Sequence, residues 1–138
     1  MNEISLKLPM CPSVNKTHNY GKGKVYLDEK VIQFRKQVEA ECYLARVKNI
    51  KIKGLIKVKI CYVFNNNYKN DKDNRAKCLF DALMHSGIYA DDCVIHQEKS
   101  IKVVDKSSKQ SYILIRLLGE QIPFTSIMAN EWINNNEW

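Results

Sequence analysis

The chain predicts an α/β fold of the α+β kind, a single domain with elements in the order β-α-β-α-β-β around a mixed sheet. Three observations carry this. Residues 55–64 alternate apolar and polar positions with a period of two. Residues 28–48 and 74–86 instead space their apolar residues as a helix does. A chain of 138 residues, 45% hydrophobic and 27% charged, suits one globular core.

The elements follow in order. Ile4, Leu6 and Leu8 alternate with Ser5 and Lys7, a strand that ends at Pro9. Residues 9–24 read as a loop, with Pro9, Pro12, Gly21, Gly23 and three lysines among them. Asp28 is placed to cap a helix in which Val31, Phe34, Val38, Cys42 and Ala45 share a face. In the next strand Ile56, Val58, Ile60, Tyr62 and Phe64 form the buried side, opposite Lys57, Lys59 and Cys61. The second helix turns Ala76, Leu79, Phe80 and Leu83 inward and stops at Gly87. Strands at 93–104 and 111–118 follow, joined by the turn Asp105-Lys106-Ser107-Ser108-Lys109. Residues 1–120 read as the functional domain. Residues 121–138 read as a docking tail or as a short helix around Ser126 to Ile133.

Composition narrows the function. A net charge of +7 favours a polyanionic partner, most simply nucleic acid. No run approaches the roughly 18 apolar residues of a membrane span, and the start Met1-Asn2-Glu3-Ile4 lacks the features of a secretion signal. The expected location is the cytoplasm, with no membrane partner. Five cysteines, scattered singly, fit reduced thiols better than a disulfide framework or a zinc site. His18, His85 and His96 have no metal-ligand spacing, and His85 suits the end of a helix.

The chemistry concentrates between Asp71 and Asp92. Asp71-Lys72-Asp73-Asn74-Arg75-Ala76-Lys77 is followed by Asp91-Asp92. Ordinary structural roles exist for each: Asp73 as a helix cap, Lys77 and Asp81 as an i,i+4 pair, the remaining acids as turn residues. They leave unexplained why so many acids meet at the ends of one helix. Hard oxygen donors two residues apart at a loop-to-helix junction suit Mg²⁺. A third carboxylate must arrive from elsewhere. A 13-residue helix is about 20 Å long, and Gly87 to Asp92 spans at most roughly 20 Å, so Asp92 returns to the helix start only by a tight reach. A calcium loop starting at Asp71 fails, because Arg75, Ala76 and Ala82 stand where an oxygen ligand, glycine and glutamate belong. An aspartyl-phosphatase nucleophile fails too, because six polar residues separate Asp71 from the strand. The acidic D-x-D of nucleotide-sugar transferases is shared, but the chain is short for that fold.

Two runs carry a resemblance to a known family. One is Asp71-Lys72-Asp73-Asn74-Arg75-Ala76-Lys77, with Phe80-Asp81-Ala82-Leu83, His85-Ser86-Gly87, Asp91-Asp92 and Val94. The other is Pro12-Ser13-Val14-Asn15 with Gly23-Lys24-Val25-Tyr26-Leu27. Spanning residues 9 to about 104, these resemble the RusA family of Holliday junction resolvases, homodimeric endodeoxyribonucleases of phages and prophages. The asparagine-rich loop before Asp71 and the tail after Leu118 depart from it.

The resemblance implies that Asp71, Asp73 and Asp92 bind the metal, that Lys77 is catalytic, and that Asp91 and Asp81 play supporting parts. The expected cofactor is Mg²⁺, with Mn²⁺ as a substitute and no organic cofactor. The expected partner is four-way junction DNA, cut by a homodimer during recombination and repair in a bacterial host. Lys69, Lys72, Arg75, Lys99 and Lys102 are expected to grip flanking phosphates. Asn15 and Lys16, in a loop with His18 and Tyr20, are expected to touch DNA near the branch point. Two rival readings are a catalytically inactive branched-DNA-binding protein and a general branched- or flap-DNA nuclease.

Overall fold

A computed structural model describes residues 3–13, 18–21, 24–67 and 72–135; at 18–21, 24–27, 73 and 74 the description is of the backbone. Strand β1 (Glu3–Pro9) is followed by a hairpin of β2 (His18–Gly21) and β3 (Lys24–Leu27), helix α1 (Glu29–Leu44) and strand β4 (Leu55–Phe64). Helix α2 (Asp73–His85), a 3-10 turn (Asp92–Val94), β5 (Ile95–Val104), β6 (Tyr112–Gln121) and helix α3 (Ser126–Asn134) complete the chain.

The main sheet has the order β1-β6-β4-β5. β6 is antiparallel to both β1 and β4, whereas β4 and β5 are parallel. Parallel neighbours need a crossover, and α2 supplies it. The sheet is therefore mixed, as the order of elements implies.

Both long helices cover one side of the sheet. Ile56, Val58, Ile60, Tyr62 and Phe64 alternate inward from β4 and are buried, together with Ile4, Leu6 and Leu8 of β1 and Ile113, Ile115 and Leu117 of β6. Against them pack Val31, Phe34, Val38 and Cys42 of α1 and Cys78, Leu79, Ala82 and Leu83 of α2. Removing a side chain such as Ile60 from this core would cost about 2–5 kcal/mol in lost transfer energy and cavity.

Three boundaries differ from the sequence reading. The segment read as a loop holds the β2–β3 hairpin, registered His18 to Leu27 and Gly21 to Lys24. Its strands are too short and too polar to alternate visibly. Helix α1 stops at Leu44 rather than near Lys48, because Arg46 takes φ 61° and Val47 turns into the core. The Val47 N–H bonds Cys42 O and that of Arg46 bonds Tyr43 O, a Schellman closure made without the usual glycine. Third, Asp73 is the first residue of α2 rather than its cap, a place taken by Lys72 with no side-chain capping bond.

Asp28 caps α1 as expected, its carboxylate accepting from the Lys30 N–H. All five cysteines are free thiols. Among the described residues, no helix is long and apolar enough to cross a membrane.

Candidate active site

Helix α2 presents two opposite sides. Its inner side is anchored in the core, which fixes Lys77 on the outer side near the first turn. The Lys77 Nζ lies 3.0 Å from Asp81 Oδ1, its i,i+4 neighbour, and 3.4 Å from Asp92 Oδ2 across the chain return. The first contact is a good hydrogen bond and the second a looser ion pair.

How Asp92 reaches that spot is set by the residues after α2. Gly87 has φ 76°, and Ile88 N–H bonds Leu83 O while Gly87 N–H bonds Met84 O, closing the helix. Only glycine fits, since a Cβ at position 87 would lie 2.3 Å from Asn49 Oδ1 and 2.7 Å from Asn49 Cα. The segment from α1 then runs alongside: Asn49, Lys51 and Ile52 donate their N–H groups to Ser86, Gly87 and Ile88 carbonyls. Next, Tyr89, buried, donates its hydroxyl to Phe80 O at 2.7 Å, tying the return to the middle of α2. Asp92 therefore meets α2 at Lys77, a single turn, about 6 Å, from Asp73. The tight reach is made by running back along the helix.

The charges are arranged for a persistent cation. Asp81, first by its hydrogen bond and then by its charge, raises the Lys77 pKa above the ordinary lysine value, and Asp92 adds to it. Lys77 is thus an ammonium at neutral pH, suited to meeting negative charge rather than to taking a proton. Asp91 caps the 3-10 turn, accepting from the Cys93 N–H at 3.0 Å. That bond is the main reason its carboxyl lies below the usual range. Burial, then the charges of Asp92, Asp81 and Asp91, pushes the Tyr89 phenol up, so it stays a hydrogen-bond donor.

The other expected residues separate into groups. Asn15, Lys16, Lys69 and Asp71 lie outside the described residues, as do the side chains of Asp73, His18 and Tyr20. Lys72 Nζ donates to Ser100 Oγ at 2.9 Å, on the helix-bearing side of β5. Lys102 lies on that same side, paired in register with buried Tyr62. Lys99 points to the opposite side, where it sits 5.7 Å from the Trp132 ring centre, and so shares no surface with Lys72 and Lys102. Arg75 is committed to packing: its Nη1 donates to Cys11 O, its carbonyl accepts from the Cys11 thiol, and it stacks over Phe64. Burial raises the Cys11 thiol to about 12, which keeps it in the donating form. Tyr89 and the Arg75–Cys11 exchange had no motif to announce them. Their roles depend on partners 9 and 64 residues away.

The described part of the expected donor set is one partly exposed carboxylate, Asp92, a hard oxygen donor of the kind Mg²⁺ takes, which is paired with Lys77 a turn away from Asp73. No group of three metal-binding side chains occurs among the described residues; two of the three expected carboxylates are outside that description.

In a basic chain, acids and a lysine gathered on the outer side of a helix suit chemistry on a nucleic-acid phosphodiester. Comparison with known proteins agrees. The family model "Endodeoxyribonuclease RusA" matches residues 8–116, and the chain belongs to the RusA family of structure-specific endodeoxyribonucleases. "Crossover junction endodeoxyribonuclease RusA" of Escherichia coli O139:H28 is 25% identical over 121 residues, 88% of this chain and all of that protein. The protein of the same name from Escherichia coli K12 is 26% identical over the same shares. That of Enterobacteria phage HK97 is 29% identical over 92 residues, 67% of this chain and 76% of its own.

Proposed function

We propose that the chain is a Mg²⁺-dependent resolvase of four-way (Holliday) junctions, acting as a homodimer in recombination and repair in the cytoplasm of a bacterial host. The observation that carries the reading is the meeting of Asp92 with Lys77 a turn away from Asp73, inside the segment that matches the family. Printed names of relatives, crossover junction endodeoxyribonucleases of bacteria and a phage, support the substrate.

In this reading Asp71, Asp73 and Asp92 hold Mg²⁺, for which Mn²⁺ substitutes. Bound there, the ion supplies Lewis acidity toward a phosphodiester oxygen and lowers the pKa of a water. The protein's own groups do the rest. Lys77 places its ammonium where charge grows as the water oxygen bonds to phosphorus and the P–O3′ bond breaks. Asp81 holds that ammonium in place and charged. Products carry 5′-phosphate and 3′-hydroxyl ends. Lys72 and Lys102, on the same side of the sheet as α2, bind flanking phosphates with an affinity that falls as salt rises. A two-fold dimer supplies two such sites for the two symmetry-related cuts.

The test is cleavage of a mobile four-way junction, a flap and a linear duplex of matched sequence, with Mg²⁺ or with EDTA. Paired nicks in the junction with Mg²⁺ and none with EDTA are expected. Protein that binds the junction but never nicks it with Mg²⁺ or Mn²⁺ would be a binding module instead. Equal cutting of the flap would broaden the substrate to branched DNA.

A further inference from the structure

Between α1 and β4 the chain gathers cations. Arg46, Lys48, Lys51 and Lys53 are exposed there, around the buried Val47 and Ile52. Lys48 is neutralised by Glu39, 2.6 Å away. Arg46, Lys51 and Lys53 have no ion-pair partner among the described residues. The Ile50 N–H bonds Val47 O, and this turn sets Arg46 and Lys51 at its two ends. Tyr43 and Leu44, 70% and 73% exposed, share a shallow hollow with Arg46 and Lys48.

The backbone fixes the place of these cations. Arg46, Asn49 and Lys51 have φ of 61°, 60° and 49°, a left-handed region that asparagine tolerates and long side chains adopt at a cost. The surroundings enforce it, because the N–H groups of Asn49, Lys51 and Ile52 are tied to the carbonyls of Ser86, Gly87 and Ile88. The cations therefore sit at the C-terminal end of α2. From Lys77 to Ser86 is nine residues, about 13 Å along the helix. Between them Lys77, Asp81 and His85 follow at four-residue spacing on one outer stripe.

We infer that Arg46 and Lys51, joined by Lys53, form a second phosphate-binding site, which takes the backbone of the duplex arm whose scissile phosphate lies at Lys77. Spacing favours this occupant. Phosphates of one strand repeat every 3.4 Å or so along a duplex axis, so an arm lying along α2 meets the second site about four base pairs from the cut. Chemistry favours it too. Cations without partners gain most from phosphate, and the bare Tyr43 ring beside Arg46 suits a sugar, which a small free anion lacks. Lys72 and Lys102 stand toward the opposite end of α2, where β4 and β5 finish. The two groups bracket Lys77 and hold the arm on both sides of the reacting position. The inference rests on the nucleic-acid substrate of the proposed function and names where one arm of it is anchored.

Fluorescence anisotropy of a four-way junction in EDTA, across a salt series, tests it with the full chain. Arg46→Gln combined with Lys51→Gln should lower the slope of log affinity against log salt by about 1.8, two contacts at about 0.9 each. The charge-keeping pair, Arg46→Lys with Lys51→Arg, should restore the wild-type slope. Ethylation interference reads the place. In the wild type an ethylated phosphate about four base pairs from the cut should weaken binding, and the glutamine pair should lose that sensitivity. A glutamine pair with the wild-type slope overturns the inference. So does one that only lowers the melting temperature, the mark of cations that merely serve the helix dipoles. Nicking by the wild type in Mg²⁺ is scored alongside. If it nicks while the slope ignores the glutamine pair, the second site falls and the nuclease stands. If slope and interference respond but no nick forms, the site stands and the nuclease falls.

Discussion

The two sides of one sheet come from the same strands, yet they have opposite fates. Along β4, Ile56, Val58, Ile60 and Tyr62 are sealed beneath two helices, whereas Lys59 and Cys61 face an open groove. The sealed side is closely packed, and α2 grows from it with one surface in the core and the other carrying Lys77, Asp81 and the contact to Asp92. The open side has apolar surface without a filled core and a rim of lysines and arginine. The difference shows how a period-two strand makes two surfaces at once: one set of side chains packs the core beneath the helix that carries Lys77, and the other stays open.

The largest effect expected on the chemical side is that of Asp73→Asn. It removes a proposed metal ligand and a negative charge, and should lower junction cutting by about 10³-fold or more while keeping or tightening binding. Cutting at the wild-type rate would remove Asp73 from the site. Gly87→Ala comes next. It places a methyl group against Asn49 at a φ of 76° and should cost about 3 kcal/mol. Calorimetry should then show a melting temperature lower by about 10 °C. An unchanged melting point would mean the return segment is not held as described.

Tyr89→Phe is gentler. It leaves the Phe80 carbonyl without its hydroxyl donor, for about 1 kcal/mol of stability and a drop in cutting through a looser Asp92. Equal rates would show that Asp92 is placed without it. The smallest effect separates the two sides directly. Lys102→Gln should reduce the slope of log affinity against log salt for junction DNA by about 0.9, the contribution of one phosphate contact. Lys99→Gln should leave that slope unchanged. Equal slopes for the two variants would break the division.

Much of this was legible in the sequence because it is local or periodic. The alternation of β4, the inward positions of α1 as far as Cys42, Asp28 as a cap and Gly87 as a stop appear where the residues imply them, whereas Ala45, expected on the same face, is the exposed C-cap. The resemblance carried by Asp71 to Asp92 also leads to the family that the comparison identifies. What escaped depends on distant partners. Nothing local marks Arg46 as the end of α1, because its left-handed turn is secured by the burial of Val47. Arg75 reads as one more surface cation until Cys11 is found beside it. Lys99 and Lys102 look equivalent in a list of lysines. Odd and even places along β5 put them on opposite sides of the sheet.

The central claim is that Asp92 works with Lys77 and Asp73 in cutting DNA at a junction. The direct measurement is single-turnover nicking of a mobile four-way junction in Mg²⁺ by wild type and by Asp92→Asn, with binding measured in parallel. Paired nicks by the wild type are predicted, with a loss of at least about 10²-fold in the variant at undiminished binding. An Asp92→Asn protein that nicks the junction as fast as the wild type would contradict the account.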